Sequence, residues 1–537
     1  MFNQLTTPVG ESLALSFLVA AIPIAVVLYL LGVARRPAWQ ASLAGLLTAL
    51  AIAVLVWKLP LGLALNSTAA GATFALWPVM WIVFNALVLY NLAVASGRFD
   101  AFRAWVIANL PNDRRIVLVV IGFCFGALLE GVAGFGTPVA ITAALLIALG
   151  FPALDALVFT LIFNTAPVAF GALGTPVTAL GAVTQLPNEA LGAMIGRQLP
   201  FLAMLLPFYV IALYGGKKSV RALWPVLTVA GGSFALAQFV TSNYIGYELT
   251  DVMSALVSLV ATTLFLKVWR PAPDPAFALS LPSNTTAGAS SVSPPISPWQ
   301  GWIPWVLLAG VVTAWTTFGV NLLGQKRIPW PGLHEQIFIT LYNQPYAAIW
   351  VFQPLATGTA ILVAAVLMAG AFKIGPAMFF RAMGDTFRQI RVAILTVALI
   401  IGLAYLMNYS GMTYTLGVGV ASAGIFFPLL SAFLGWVAVF LSGSDTSGNA
   451  LFGNLQVVAA RQLDLSPVLM AATNSSGGVM GKMISPQNIC TGTSTTGLTG
   501  REGEVLARTF VHSIVLTFLL GLLVLAQQYL FPWMIPE

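Results

Sequence analysis

Three ionisable side chains stand in stretches that are otherwise almost free of charge: Glu130, Asp445 and Lys482. A charge deep in hydrocarbon costs a few kcal/mol even on insertion scales, so each needs a partner, water or a task. Glu130 belongs to L-E-G-V-A-G-F-G-T-P-V-A, residues 129–140, ahead of Gly131, Gly134, Gly136 and the pair Thr137-Pro138. Glycine removes side-chain bulk and proline removes a backbone donor, so a regular helix is not expected to run through it. In lipid, a broken backbone survives only where it is buried in protein or lines a cavity. A partly desolvated carboxylate beside such a break suits proton coupling; a plain interfacial glutamate is the structural alternative. Asp445, in S-G-S-D-T-S-G-N-A (442–450), interrupts the longest charge-free run. It reads as a proton carrier or ion-pair partner, with a hydrated hairpin tip as the alternative. Lys482, in G-V-M-G-K-M-I-S-P, is flanked by glycines and a hydroxyl. It suits three roles: partner of a substrate carboxylate, buried ion pair with Asp445 or Glu130, or snorkelling lysine. Asp155, Arg461 and Asp464 read as helix-start, loop or interfacial residues.

Hydroxyls and amides surround these charges. Thr137, Asn164, Thr165, Thr175, Asn474, Ser475, Ser476, Ser485 and Gln487, with Gly136, Ser444 and Ser447, form the candidate binding set for a small hydroxy acid. Helix N-termini at the breaks add partial positive charge for its carboxylate. Singly, each polar residue is more often a helix-packing hydroxyl or amide. Their arrangement is what marks them. F-N-T-A-P-V-A-F-G-A-L-G-T-P-V (163–177) and the stretch 473–488 share N-[ST], then G, then [ST]-P at one offset. Asn164 pairs with Asn474, Thr165 with Ser475, Gly171 with Gly481, Thr175 with Ser485 and Pro176 with Pro486, each 310 residues apart (474 − 164). Thr137 and Ser447 keep the same spacing.

The elements that must position these residues are membrane helices. The 537 residues are 59% hydrophobic and 7% charged, against about 25% charged in soluble domains. A mean hydropathy of +0.93 excludes a soluble globular protein. Charge-free runs over 12–34, 37–57, 59–97, 222–247, 336–372 and 392–444 fit the about 20 residues a spanning helix needs, several of them twice. The expected fold is an all-α polytopic membrane protein of roughly a dozen transmembrane helices. From 131 to 198 the apolar runs are short and broken at Pro138, Gly150, Pro152, Pro167 and Pro176, which predicts re-entrant or broken helices.

Orientation follows from the cations. Arg35 and Arg36 come after the first span, which places the N-terminus outside and that loop in the cytoplasm. The C-terminus is expected outside too. A loop with Arg98, Arg103, Arg114 and Arg115 also carries Phe99, Phe102 and Trp105, and part of it is expected along the membrane surface. Residues 326–346 read as a mixed external loop. The chain divides into an N-terminal half, 1–270, a flexible cytoplasmic Pro/Ser-rich linker, 271–298, and a C-terminal half, 299–537. At the repeat offset, spans of opposite direction align, so the halves are expected as inverted repeats with the site at their interface.

Several functions are excluded. The net charge of +7 comes from cations scattered singly or in pairs, not from a basic face, so no nucleic-acid partner is expected. His334 and His512 lie outside both motif zones, and no metal, cofactor or enzymatic site is expected. Cys124 and Cys490 are expected as buried thiols.

These motifs, 130–140, 163–177, 442–456 and 472–489, resemble the bacterial L-lactate permease family, and the likeness extends over most of the chain. It implies proton-coupled uptake of L-lactate, with D-lactate and glycolate as related substrates, through the inner membrane. It also implies kinship with ion transporters built from hairpins and inverted repeats. The alternative is a symporter for another small organic anion, possibly coupled to sodium. Which acid carries the proton, Glu130 or Asp445, stays open at this level.

Overall fold

In a computed structural model, which describes residues 1–34, 36–132, 134, 137–279 and 296–536, the chain is a helical membrane protein. Gly136, the side chain of Thr137 and most of the 271–298 linker lie outside the described residues. Among the described residues, nine helices are long and apolar enough to cross a membrane, or ten if the bent pair Ala153–Phe163 and Val168–Thr184 is one span. Shorter apolar helices are Pro138–Ala148, Ile303–Thr317 and Thr357–Ala371. Helix dominates because hydrocarbon offers the backbone no hydrogen bonds, so each segment must satisfy its own.

Burial sorts the helices. The apolar window of Arg114–Val132 is wholly inside the protein, whereas only 28% of that in Leu13–Leu31 is. Peripheral helices turn Leu15, Leu18, Leu55 and Leu205 outward, as a lipid-facing surface requires. Leu199–Tyr244 is one helix by hydrogen bonding but is interrupted at Gly216 (φ 69°, ψ −177°), with Lys217, Lys218 and Arg221 just beyond the break. Apolar side chains form two clusters, one around Arg114–Val132 and one around Leu13–Gly32 and Pro376–Ser410. The Gly171–Thr184 helix contributes to both: Leu173 and Val177 to the first, Ala172 and Ala179 to the second.

The expected breaks are present. Ala153–Phe163 and Val168–Thr184 are bent by 65°. Within Gly171–Thr184, Ala172, Leu173 and Gly174 all have left-handed backbones (φ 44°, 56° and 74°) before Thr175-Pro176 resumes the helix. Such conformations are costly for residues with a Cβ and persist only where the surroundings impose them. Phe427–Ser442 stops at Gly443 (φ 71°), and Asp445–Gln462 starts under a cap from Ser444. Pro467–Lys482 ends before Ser485, which caps Pro486–Thr496.

Four expectations need correction. Residues 326–352 hold short strands: Lys326–Pro329 pairs antiparallel with Ile349–Phe352, and Ile337–Ile339 joins Phe2–Asn3 and Gln344–Pro345. The loop and the N-terminus are therefore on one face. Arg98–Ala108 is not laid on a lipid surface by its aromatics; Phe99 and Phe102 are buried, with Phe102 packed against Phe125, Trp302 and Trp305. The start of the linker docks on the body: Arg115 Nη1 reaches Asp274 at 3.4 Å and its guanidinium covers Phe277. Cys124 is buried, but Cys490 is exposed.

Candidate functional site

Glu130 lies in the last turn of the helix Gly126–Val132, and Lys482 ends the helix Pro467–Lys482 from the other half of the chain. The two meet: Lys482 Nζ donates to Glu130 Oε1 at 2.6 Å, with the side chains 7% and 3% exposed. Asn164 Nδ2 donates to Glu130 Oε2 at 2.9 Å, so both carboxylate oxygens are held. Gly171 makes this approach possible, since a Cβ there would stand 2.9 Å from Glu130 Oε1. Of the alternatives open for Lys482 in the sequence, the buried ion pair with Glu130 is the one present.

Asp445 lies on the same cavity wall. Its Oδ2 accepts from Ser475 Oγ at 2.5 Å and from Asn449 Nδ2 at 3.3 Å. Its Oδ1 has no hydrogen-bond partner among the described residues. Asn449 also ties the halves together by donating to Pro176 O at 3.1 Å. The cavity between these groups is about 30 Å³, enough for a water or two when each needs about 10–15 Å³. Thr175, Ser444, Thr446 and Gln487 complete its polar wall.

A second cavity of about 620 Å³ adjoins the first through Ser444 and Gln487, which line both. Ser447 and Cys490 lie on its wall, and exposed Arg36 and Pro37 mark its outer end. It is thus a vestibule on the face opposite the strands. Gly443 lets Gln487 lie close at the junction, since a Cβ there would come within 2.7 Å of Gln487 Oε1.

The other candidates hold the scaffold rather than line the small cavity. Asn474 Nδ2 donates to Asn449 Oδ1 at 3.0 Å, and its Oδ1 accepts from Gln456 Nε2 at 2.8 Å. Ser476 Oγ donates to Gln198 Oε1 at 2.7 Å. Thr165 Oγ1, in the turn just after the helix Ala153–Phe163, donates back to Ile162 O at 2.8 Å, a local bond to the backbone that such hydroxyls commonly make. Ser485 Oγ accepts from Asn488 N as a helix cap does, and Ser444, itself on the cavity wall, caps its helix likewise by accepting from Ser447 N. Asp155, read as a helix-start residue, is in the first turn of its helix and binds Arg508 at 3.0 Å.

Some polar residues of the site were not singled out in the sequence. Asn449 stood inside the motif 442–450, one helical turn after Asp445, and that spacing was its signal. Gln198 had none. Asp251, at the head of Thr250–Val268, is fully buried beside Gly131. An acid in a helix's first turn reads as an ordinary dipole partner, which concealed it.

Chemically, the arrangement is one ammonium, a carboxylate that neutralises it, a second carboxylate with an uncommitted oxygen, and hydroxyl and amide groups around a small wet space. It can exchange one carboxylate for another on the ammonium.

Comparisons with known proteins agree with this architecture. The family model described as L-lactate permease matches residues 16–531. The chain is 43% identical to the glycolate permease of Escherichia coli K12 across 99% of both chains. It is 40% identical to the L-lactate permeases of Salmonella typhi and Bacillus subtilis, across 100% of each chain. With matches of this extent, the motifs around Glu130, Asp445 and Lys482 fall inside a shared framework, and the chain belongs to the L-lactate permease family.

Proposed function

We propose that the protein takes up L-lactate, and also D-lactate and glycolate, by proton symport across the bacterial inner membrane. The carrying observation is the Glu130–Lys482 pair on the wall of a small cavity between the halves. A monocarboxylate entering there competes with Glu130 for the ammonium. Glu130 displaced as an anion leaves an uncompensated buried charge, which costs about 3–5 kcal/mol when one partner of such a pair is lost. Displaced as the neutral acid, it avoids that cost. Each substrate anion that takes Lys482 therefore brings a proton to Glu130, and release on the other side reverses both steps.

Asp445 is the second acid of the site. Its uncommitted Oδ1 offers an acceptor to the 2-hydroxyl, while Thr175, Ser444 and Gln487 contact the rest of the molecule. Asn164 orients Glu130. Asn474, Ser475 and Ser476 hold the walls, Thr165 and Ser485 belong to the breaks that shape them, and Ser447 stands in the first turn of Asp445–Gln462. The small cavity cannot hold a 2-hydroxy acid as it stands, because its volume of about 30 Å³ has room only for a water or two. The vestibule can, so binding includes a local opening at Ser444 and Gln487.

The halves 1–270 and 299–537 work as inverted repeats around this site. Thr175-Pro176 and Ser485-Pro486, matched by the offset, both begin the second limb of a broken helix, which supports the pairing. Basic Arg36, Lys217, Arg221 and Arg270 set the vestibule face in the cytoplasm and both termini in the periplasm.

Labelled L-lactate uptake into proteoliposomes with an imposed pH gradient tests this reading. Accumulation that follows the gradient, disappears when it is collapsed and ignores sodium is expected, with competition by glycolate. Uptake indifferent to the gradient, or dependent on sodium, would overturn the coupling.

A further inference from the structure

Behind the Glu130–Lys482 pair lies another carboxylate. Asp251 is 0% exposed, and neither oxygen has a hydrogen-bond partner among the described residues. It points at the start of the glycine-rich break: a Cβ on Gly131 would stand 3.2 Å from Asp251 Oδ2. A carboxylate left bare in this way is costly as an anion, since buried charges are normally paired and hydrogen-bonded. It lines neither the small cavity nor the vestibule.

Its charged surroundings are few. Glu130, from the helix Gly126–Val132, and Lys482 act on it electrostatically. Cys124, on the next packed segment, is engaged with Ser258 further along the same helix. Gly171–Thr184 carries no titratable residue, and the cations of Leu199–Tyr244 cluster near its Gly216 break. One turn earlier stands Glu248, half-buried, with its Oε1 accepting from Thr357 Oγ1 at 3.3 Å. Thr357 starts the helix just after the strand Ile349–Phe352, so Glu248 is at the strand-bearing face. Exposed Glu189 is its charged neighbour there. Carboxylates thus descend from that surface, Glu189, Glu248, Asp251, to Glu130, while the vestibule approaches Glu130 from the opposite face.

One ammonium faces three buried carboxylates, Glu130, Asp251 and Asp445. If all were ionised the group would carry two uncompensated negative charges, and a bound substrate anion would add another. Protons must make up the difference. We propose that Asp251 is a proton-relay residue, passing protons between Glu248 at the strand-bearing face and Glu130 at the substrate site. Each transfer moves one proton: a carboxyl O–H of Glu248 breaks as one forms on Asp251, directly or through water, and Asp251 then protonates Glu130. Substrate touches Glu130's partner Lys482 but not Asp251, so proton and substrate take separate routes on that side.

This assignment rests on the symport reading, and the test separates the two. Wild-type, Asp251→Asn and Asp251→Glu proteins are reconstituted, and each is assayed for lactate–lactate exchange at equal pH and for net uptake driven by a pH gradient. If wild-type uptake ignores the gradient, symport itself fails. If it responds, Asp251→Asn is expected to keep exchange and to lose gradient-driven uptake down to the level without a gradient. Retention of both activities overturns the relay, and loss of both in a monodisperse protein assigns Asp251 to structure or binding instead. If the Asn variant does not fold, Asp251→Glu decides. A relay keeps its coupling but moves the pH profile of net uptake; an unchanged profile overturns the assignment.

Discussion

Lys482 Nζ and Glu130 Oε1 are 2.6 Å apart although 352 residues separate them in the chain. The contact joins the ends of two helices that both stop at the site, one at a glycine-rich break and one before Ser485. Buried pairs of this kind seldom add much stability, because desolvation offsets attraction. In the proposed mechanism their value is reversibility: a second carboxylate takes the place of the first.

Lys482→Ala is expected to destabilise the protein by about 3–5 kcal/mol, the usual cost of stranding one partner of a buried pair. Adding Glu130→Gln should recover most of that loss without restoring uptake. Thermal unfolding of both single variants and the double variant in detergent checks this. Strictly additive losses would show that the two side chains do not interact.

Gly443→Ala is expected to impair uptake more than folding. Its left-handed backbone (φ 71°) adds a penalty of roughly 1–2 kcal/mol for a residue with a Cβ. The new methyl would also press on Gln487 at the junction of cavity and vestibule. Gly10→Ala is the control, left-handed too (φ 56°) but with open space around it. It should carry a similar backbone penalty with uptake intact. Equal uptake by the two variants would remove the junction role of Gln487.

An impermeant thiol reagent should label Cys490, which is exposed on the vestibule wall, and spare buried Cys124. Labelling is expected in inside-out vesicles, where the Arg36 face meets the medium, and should block lactate entry. Preferential labelling in right-side-out vesicles would reverse the proposed orientation.

Much of the fold was legible because hydrocarbon leaves few options. Long charge-free runs such as 12–34 become helices, and Gly-Pro-rich stretches such as 131–177 become breaks. The charged trio was legible for the same reason, since an ion in an apolar run needs an explanation. What remained hidden depends on distant contacts. Nothing local pairs Lys482 with Glu130 rather than Asp445, and only packing brings Asp251 beside Gly131. The strands at 326–352 were missed because pairing across a loop, including one with Phe2–Asn3, leaves little periodicity in such short segments. The aromatics of 99–105 looked like a stripe along the membrane surface, yet Trp302 and Trp305, far along the chain, cover Phe102.

The most direct measurement is steady-state lactate accumulation against the imposed pH gradient, in proteoliposomes bearing wild-type or Glu130→Gln protein. Glutamine keeps the shape of residue 130 but can neither pair with Lys482 as an anion nor take up the proton. Accumulation should rise with the gradient in the wild type and be independent of it in the variant. A Glu130→Gln protein whose accumulation tracks the gradient as the wild type does would contradict the exchange of carboxylates on Lys482 as the coupling step.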